Sequence, residues 1–212
     1  NCSKKNLNLL TYSVVTLSKS TGIIEFVEGT NTLESFMDSS ALNLQIGKFK
    51  TFFNDTSTWQ RNIIKDGKDA NQQHVRTSEF NGIVGMMHPR AFRNSLLAGA
   101  RSAKEEYDTR SNFIKTLATM NSCHYIVGIG DRHQSNSLVL EDGRVLGIDF
   151  GHAFGSATFM LPIPELVPFR MTPQFMGVLY PVDAKGSMKH TMARVLRTLR
   201  DSRSTLLHVL SM

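Results

Sequence analysis

The sequence predicts an α+β fold, with a short strand-rich front and a mainly helical body. Three observations predict it. Residues 8–17 and 23–27 are apolar and β-branched, and Lys19-Ser20-Thr21-Gly22 between them reads as a turn. Residues 89–107, 111–125 and 186–210 carry apolar side chains at helical spacing. Between these helices, residues 138–140 and 145–148 form two further β-prone runs around an Asp-Gly pair.

The elements follow in order. The first two runs make a hairpin, which Glu28-Gly29-Thr30-Asn31 breaks. A helix then starts over 32–37, with Asn31 or Thr32 as its cap. Residues 38–84 are less regular. Residues 50–53 and 58–64 carry enough apolar groups to dock a short helix, Trp59 reads as a local packing anchor, and 65–74 is a polar exposed loop. In 89–107, Pro89 suits a first turn, and Phe92, Leu96 and Ala100 share a face. In 111–125, Phe113, Leu117 and Met120 share a face that Ile114 widens. That helix feeds straight into Gly128, an arrangement that would hold the next loop rigidly. From Gly151 to Pro168 the chain is rich in Pro and Gly and reads as an ordered loop. Helices over 172–179 and 186–210 close it. In the last, Met192, Val195, Leu196 and Leu199 form the expected core stripe, and Arg194, Arg197, Arg200 and Arg203 a solvated face.

Composition narrows the class. The 212 residues are 41% hydrophobic and 20% charged, which is globular. A net charge of +6 with scattered arginines argues against direct nucleic-acid binding by this segment. Cys2 and Cys123 are too few for a disulfide framework and read as reduced thiols of an intracellular protein. No run approaches the ~20 apolar residues of a membrane span, so no membrane partner is expected. The chain lacks an initiating Met and stops in mid-pattern, and we read it as a fragment.

The chemistry concentrates in residues 128–151. A two-residue Asp142-Gly143 turn would set Glu141 against Arg144, Leu138 against Gly147 and Asn136 against Asp149. Opposed side chains lie roughly 5 Å apart. An amide oxygen and a carboxylate would thus meet at the open end of the hairpin, a pair suited to Mg²⁺. Asp131 stands five positions before Asn136. That offset, followed by Asp149-Phe150-Gly151, is the order of a kinase catalytic loop and its metal-holding triplet.

The order Asp131-Arg132-His133-x-x-Asn136 resembles the loop of the phosphatidylinositol 3-kinase-like superfamily, rather than the more common His-Arg-Asp. Asp149-Phe-Gly-His-Ala-Phe-Gly-Ser-Ala-Thr158 and the segment to Arg170 are similar to the activation segment of phosphatidylinositol 3-kinase-related protein kinases, in the branch that acts on broken DNA. Residues 11–15 and 22–28 look like that branch's last small-lobe strands and hinge. The resemblance covers most of the chain and is weak across 38–84.

It implies a protein-kinase-like fold of the phosphatidylinositol 3-/4-kinase type. Residues 1–30 would end the small lobe and form the hinge; 31–212 would be the large lobe, with its catalytic loop at 128–136 and activation segment at 149–170. Asp131 and His133 would be catalytic, with His133 close to the transferring phosphoryl group. Asn136 and Asp149 would hold Mg²⁺. Tyr12, Glu25, Phe26, Val27, Leu138 and Ile148 would surround ATP, with Phe26 where the family often has Trp. Phe150, Gly151, Pro168, Phe169 and Arg170 would shape the activation segment. The implied activity is nuclear Ser/Thr phosphorylation before Gln, in double-strand-break repair by end joining, with recruitment to DNA ends by the Ku heterodimer. Residues 152–169 contain no Lys or Arg, which favours a protein hydroxyl over a polyanionic lipid headgroup. The intact Asp131, Asn136 and Asp149 disfavour a non-catalytic scaffold. No Gly-rich loop or strand lysine precedes Tyr12, so residues 1–212 alone are expected to bind ATP poorly and to be inactive.

Overall fold

The structure, a computed structural model, describes residues 7–37, 77–82, 88–161 and 167–211, together with 51, 52, 54, 85 and 165. It is α+β, as the sequence predicts. The expectations at 58–64, with Trp59, and at 65–74 lie outside the described residues.

Strands β1 (Val14–Thr16) and β2 (Gly22–Ile24) form the expected hairpin, with Val15 opposite Ile23. Both faces are open: Val14, Val15, Ile23 and Ile24 are all more than half exposed. The segment expected to break the pattern instead contains strand β3 (Thr30–Thr32), which pairs antiparallel with β4 (Ser137–Leu140). Two threonines favour extended backbone there, and β4 offers the open edge. Helix α1 (Leu33–Met37) follows at once, capped by Thr32, whose Oγ1 accepts the Ser35 N–H at 3.2 Å.

The helix expected over 89–107 is divided. Helix α2 (Ala91–Leu97) ends before Gly99, and α3 (Ala103–Val127) begins at Ser102. Ser102 Oγ accepts the Glu105 N–H at 3.2 Å, and Glu105 Oε2 accepts the Arg101 N–H at 2.7 Å. This near-capping box restarts the helix eight residues before the expected second start. Helix α3 then runs unbroken to Gly128, whose φ of +65° gives the left-handed stop; the Ile129 N–H returns to the His124 carbonyl at 2.9 Å.

The aromatic centre of the core joins three elements. Phe92 on α2, Phe113 on α3 and Phe175 on α5 (Pro173–Leu179) lie with ring centroids 5.4–5.9 Å apart. Ile114, Leu117 and Met120 extend this core along α3 to Val139 and Val145. The last expected helix is two, α6 (Ser187–Asp201) and α7 (Arg203–Leu210). The buried stripe of α6 is Met188, Thr191, Val195 and Thr198, and Leu196 is exposed. The two threonines hid this stripe from a reading by hydrophobicity. A single turn, α4 (Ala157–Met160), also interrupts the segment read as irregular loop.

Candidate active site

The central hairpin forms, but in a different register. β4 pairs with β5 (Val145–Gly147) so that Ser137 faces Gly147 and Leu138 faces Leu146. The loop has three residues, Glu141-Asp142-Gly143, closed by the Leu140 N–H on the Arg144 carbonyl at 2.9 Å. Gly143, at φ +85°, takes the left-handed third position, and Asp142 Oδ1 accepts the Arg144 N–H at 3.0 Å. The expected pairs Glu141–Arg144, Leu138–Gly147 and Asn136–Asp149 are therefore each displaced by one residue.

That displacement exchanges faces. Val139 and Val145 turn into the core. A side chain on Gly147 would strike the His124 ring, with its Cβ 2.6 Å from Cε1. Leu138 and Ile148 share the other face and are half-buried. The two residues expected beneath adenine thus lie on one surface.

Asn136 faces Ile148, whose N–H donates to the Asn136 carbonyl at 3.1 Å. Asn136 and Asp149 are brought together by a third residue, Arg132. Its buried guanidinium donates from Nε to the Gly130 carbonyl at 2.8 Å, and from Nη1 to the carbonyls of Ile148 at 2.8 Å and Asn136 at 3.4 Å. Nη2 donates to the Asp149 carbonyl. Burial pulls the Arg132 pKa below its usual value, while Asp131, Asp149 and Glu165 oppose that shift. The sequence reading gave Arg132 no role; a lone arginine within a polar loop carries no sign that it will be buried.

Each polar site residue has one group engaged and one left over. Asn136 Nδ2 donates to the Asp131 carbonyl at 2.9 Å, which leaves Asn136 Oδ1 as its free oxygen. Asp149, exposed and at φ +56°, accepts the Gly151 N–H on Oδ1 at 3.1 Å, leaving its second oxygen. His133 Nδ1 accepts the Ser135 N–H at 3.2 Å, which leaves Nε2 as the ring nitrogen open to another partner. Among the described residues, the Asp131 carboxylate has no hydrogen-bond partner.

Residues 152–155, in the expected activation segment, lie against residues 127–130 through main-chain bonds. Gly130 N–H donates to His152 at 2.7 Å, Phe154 N–H to Val127 at 2.9 Å, and Gly155 N–H to Gly128 at 2.8 Å. Pro168 and Arg170 are exposed and Phe169 is half-buried. Phe150 is sandwiched: Tyr12 stacks on it at 6.1 Å, His124 meets it edge-on at 5.5 Å, and the Arg132 guanidinium lies 5.7 Å from its centroid. A cavity of about 360 Å³ beside Phe150 is lined by Leu9, Tyr12, Met120, Cys123 and His124.

The expected nucleotide residues fall into two groups. Leu138 and Ile148 share the hairpin face, whereas Tyr12 stands against Phe150. Phe26 is 84% exposed. Glu25 is folded back, with its carboxylate accepting the Ser13 N–H at 2.7 Å; that bond holds its pKa below the usual carboxylate value. The Val27 carbonyl is occupied by Thr30 Oγ1 at 2.8 Å.

This fold and this loop define a class, and comparison with known proteins agrees. The family profile described as "Phosphatidylinositol 3- and 4-kinase" matches residues 1–212, and the chain belongs to that family. Its relatives include the DNA-dependent protein kinase catalytic subunits of Dictyostelium discoideum and Mus musculus, each 34% identical over 97% and 94% of the chain respectively. The serine/threonine-protein kinase TEL1 of Kluyveromyces lactis is 30% identical over 98%. The chain spans only 5% of the first two relatives and 7% of the third. A solved structure titled "FAT and kinase domain of CtTel1" superposes with a TM-score of 0.78 at 25% identity, covering 96% of this chain and 14% of that one.

Proposed function

We propose that this chain carries the large lobe and hinge of a Ser/Thr protein kinase that transfers the γ-phosphoryl of ATP to protein hydroxyls. Residues 1–30 end the small lobe and residues 31–212 form the large lobe, with β3 at the joint. The observation that supports this most is the convergence of the Asn136 and Asp149 backbones on one buried guanidinium, with the Asp131 carbonyl tied to Asn136 and an oxygen of each of the three side chains left unengaged.

The chemistry follows from those oxygens. The Asp131 carboxylate accepts the proton of the attacking hydroxyl. His133 presents an Nε2–H toward developing phosphoryl charge. Asn136 Oδ1 and the free Asp149 oxygen fit Mg²⁺, which binds through few protein oxygens and completes its shell with water and phosphate. That ion, when bound, neutralises phosphate charge.

The relatives' names, a DNA-dependent protein kinase and a serine/threonine-protein kinase, support Ser/Thr phosphorylation in a DNA-linked role; the resemblance of residues 149–170 extends this reading to sites before Gln, in the nucleus, during double-strand-break repair by end joining. Ku and DNA ends would be engaged by regions outside this chain. The absence of Lys and Arg from 152–169 supports protein over lipid substrates. The test is to assay the full-length protein with Mg²⁺ and ATP against Ser-Gln peptides and phosphatidylinositol vesicles. Peptide turnover abolished by Asp131→Asn is expected, and turnover of lipid alone would reject the reading.

A further inference from the structure

Glu165 is the only acidic residue between 152 and 170, and it turns inward. Its side chain is 10% exposed. Oε2 accepts the backbone N–H of Asp131 at 2.5 Å, and Oε1 accepts Arg170 Nη2 at 3.3 Å. The Asp131 carbonyl is held separately by Asn136 Nδ2 at 2.9 Å. Both main-chain groups of Asp131 are therefore clamped, while its side chain is left to the reaction.

The clamp is needed because of the backbone it holds. Asp131 sits at φ +57°, in the left-handed region that a non-glycine residue seldom adopts. A bond from an N–H to a carboxylate is stronger than one to a neutral acceptor, and the carboxylate here comes from a segment distant in sequence. The approach is close: at Gly130 a Cβ would collide with the Ala157 side chain and lie 3.3 Å from Glu165 Oε2. Arg170 holds the second Glu165 oxygen and so fixes the carboxylate plane.

We infer that Glu165 is a positioning residue for the transfer: docked with the activation segment, it fixes the Asp131 backbone in the conformation that aims the carboxylate at the substrate hydroxyl. The inference rests on the kinase reading above. It makes turnover depend on docking of the segment through one hydrogen bond, without any contact between Glu165 and the reactants.

The test compares Glu165→Ala, Glu165→Gln and Asp131→Asn in the full-length protein, with steady-state kinetics on a Ser-Gln peptide. Misplacement of a reacting group by about an ångström costs on the order of 100-fold in rate. Glu165→Ala is expected to lower kcat by about that factor, with KM for ATP and for peptide within about twofold of wild type. Glu165→Gln keeps an oxygen acceptor and is expected to recover kcat to within about tenfold of wild type. Wild-type kcat in Glu165→Ala overturns the inference. So does a rise in peptide KM matching the fall in kcat without recovery in Gln, since that pattern belongs to a residue that only shapes the segment. If the Ala variant does not accumulate folded, Glu165→Asp replaces it, withdrawing the carboxylate by one methylene; wild-type kcat there overturns the inference equally. An active Asp131→Asn enzyme would instead reject the kinase reading beneath it.

Discussion

Arg132 reaches from the 128–136 loop to the backbone carbonyl of Asp149, seventeen residues on. The same guanidinium holds Gly130, Asn136 and Ile148, so the loop carrying Asp131 and the strand end carrying Asp149 move as one piece. A planar fork satisfies four divergent carbonyls; an ammonium on a flexible stem does not.

Arg132→Lys, which keeps the charge, is therefore expected to lower turnover by roughly 10- to 100-fold through misplacement of the loop. Steady-state peptide kinetics measure it, and a Lys variant at wild-type turnover would show that charge alone suffices.

The two metal-binding candidates should respond differently to truncation. Asp149 is exposed and Asn136 is 6% exposed, with its amide on the Asp131 carbonyl. Asp149→Ala is expected to abolish Mg²⁺-dependent transfer with little change in unfolding temperature. Asn136→Ala should abolish transfer and also destabilise by about 1–3 kcal/mol, because a buried hydrogen bond is lost. Thermal unfolding of both variants, alongside the transfer assay, separates them.

Gly130 and Ala157 compete for the same space. Gly130→Ala is expected to lift the activation segment from the catalytic loop, seen as faster proteolysis within 152–170 and loss of turnover. Adding Ala157→Gly removes the opposing methyl and should restore both in part. Failure of the second change to restore anything would mean that the backbone at 130 itself needs glycine.

His124 gives an acid sensitivity. Burial, assisted by the Arg132 charge, pulls its pKa down to about 4, against about 6.5 when unfolded. Between those values the unfolded chain binds the extra proton, so stability rises with pH and is lost as pH falls from about 6.5 toward 4. The full loss is roughly 3 kcal/mol. His124→Phe keeps a ring beside Phe150 without a titrating nitrogen. Its unfolding temperature should fall less than wild type's between pH 7 and pH 4.5; parallel curves would assign the acid sensitivity elsewhere.

Much of this site was legible because its chemistry depends on residue type and short spacing. Asp131, Asn136 and Asp149 could be singled out from offsets, the structure joins their backbones through Arg132 and Asn136, and the Asp-Gly pair marked the hairpin correctly. The register was missed by one because the same Gly143 serves a two-residue or a three-residue loop, and contacts such as Asp142's bond to the Arg144 N–H, which favour the longer one, are not visible in the pattern. The restart at Ser102 was visible as Ser-x-x-Glu but was overridden by apolar periodicity. Strand β3 was hidden because its partner lies more than a hundred residues away. Arg132 and Glu165 left no local signal, since their acceptors and donors are backbone groups that any sequence possesses.

Helix α3 touches the hairpin at both ends. Near its start, Thr109 presses on Gly143 so closely that a Cβ there would be excluded, and Asn112 Nδ2 donates to the Asp142 carbonyl at 3.0 Å. Near its end, His124 lies against Gly147. The fifteen residue steps from Thr109 to His124 measure about 22 Å at roughly 1.5 Å each. The helix is thus a gauge block for the hairpin, and its length is not free to drift. One residue inserted between Asn112 and His124 would turn everything beyond it by about 100°. The tip and the base of the hairpin could then no longer both be seated. Natural variation in chain length is expected to fall outside this interval, and a designed insertion within it should cost catalysis even though no catalytic side chain is altered.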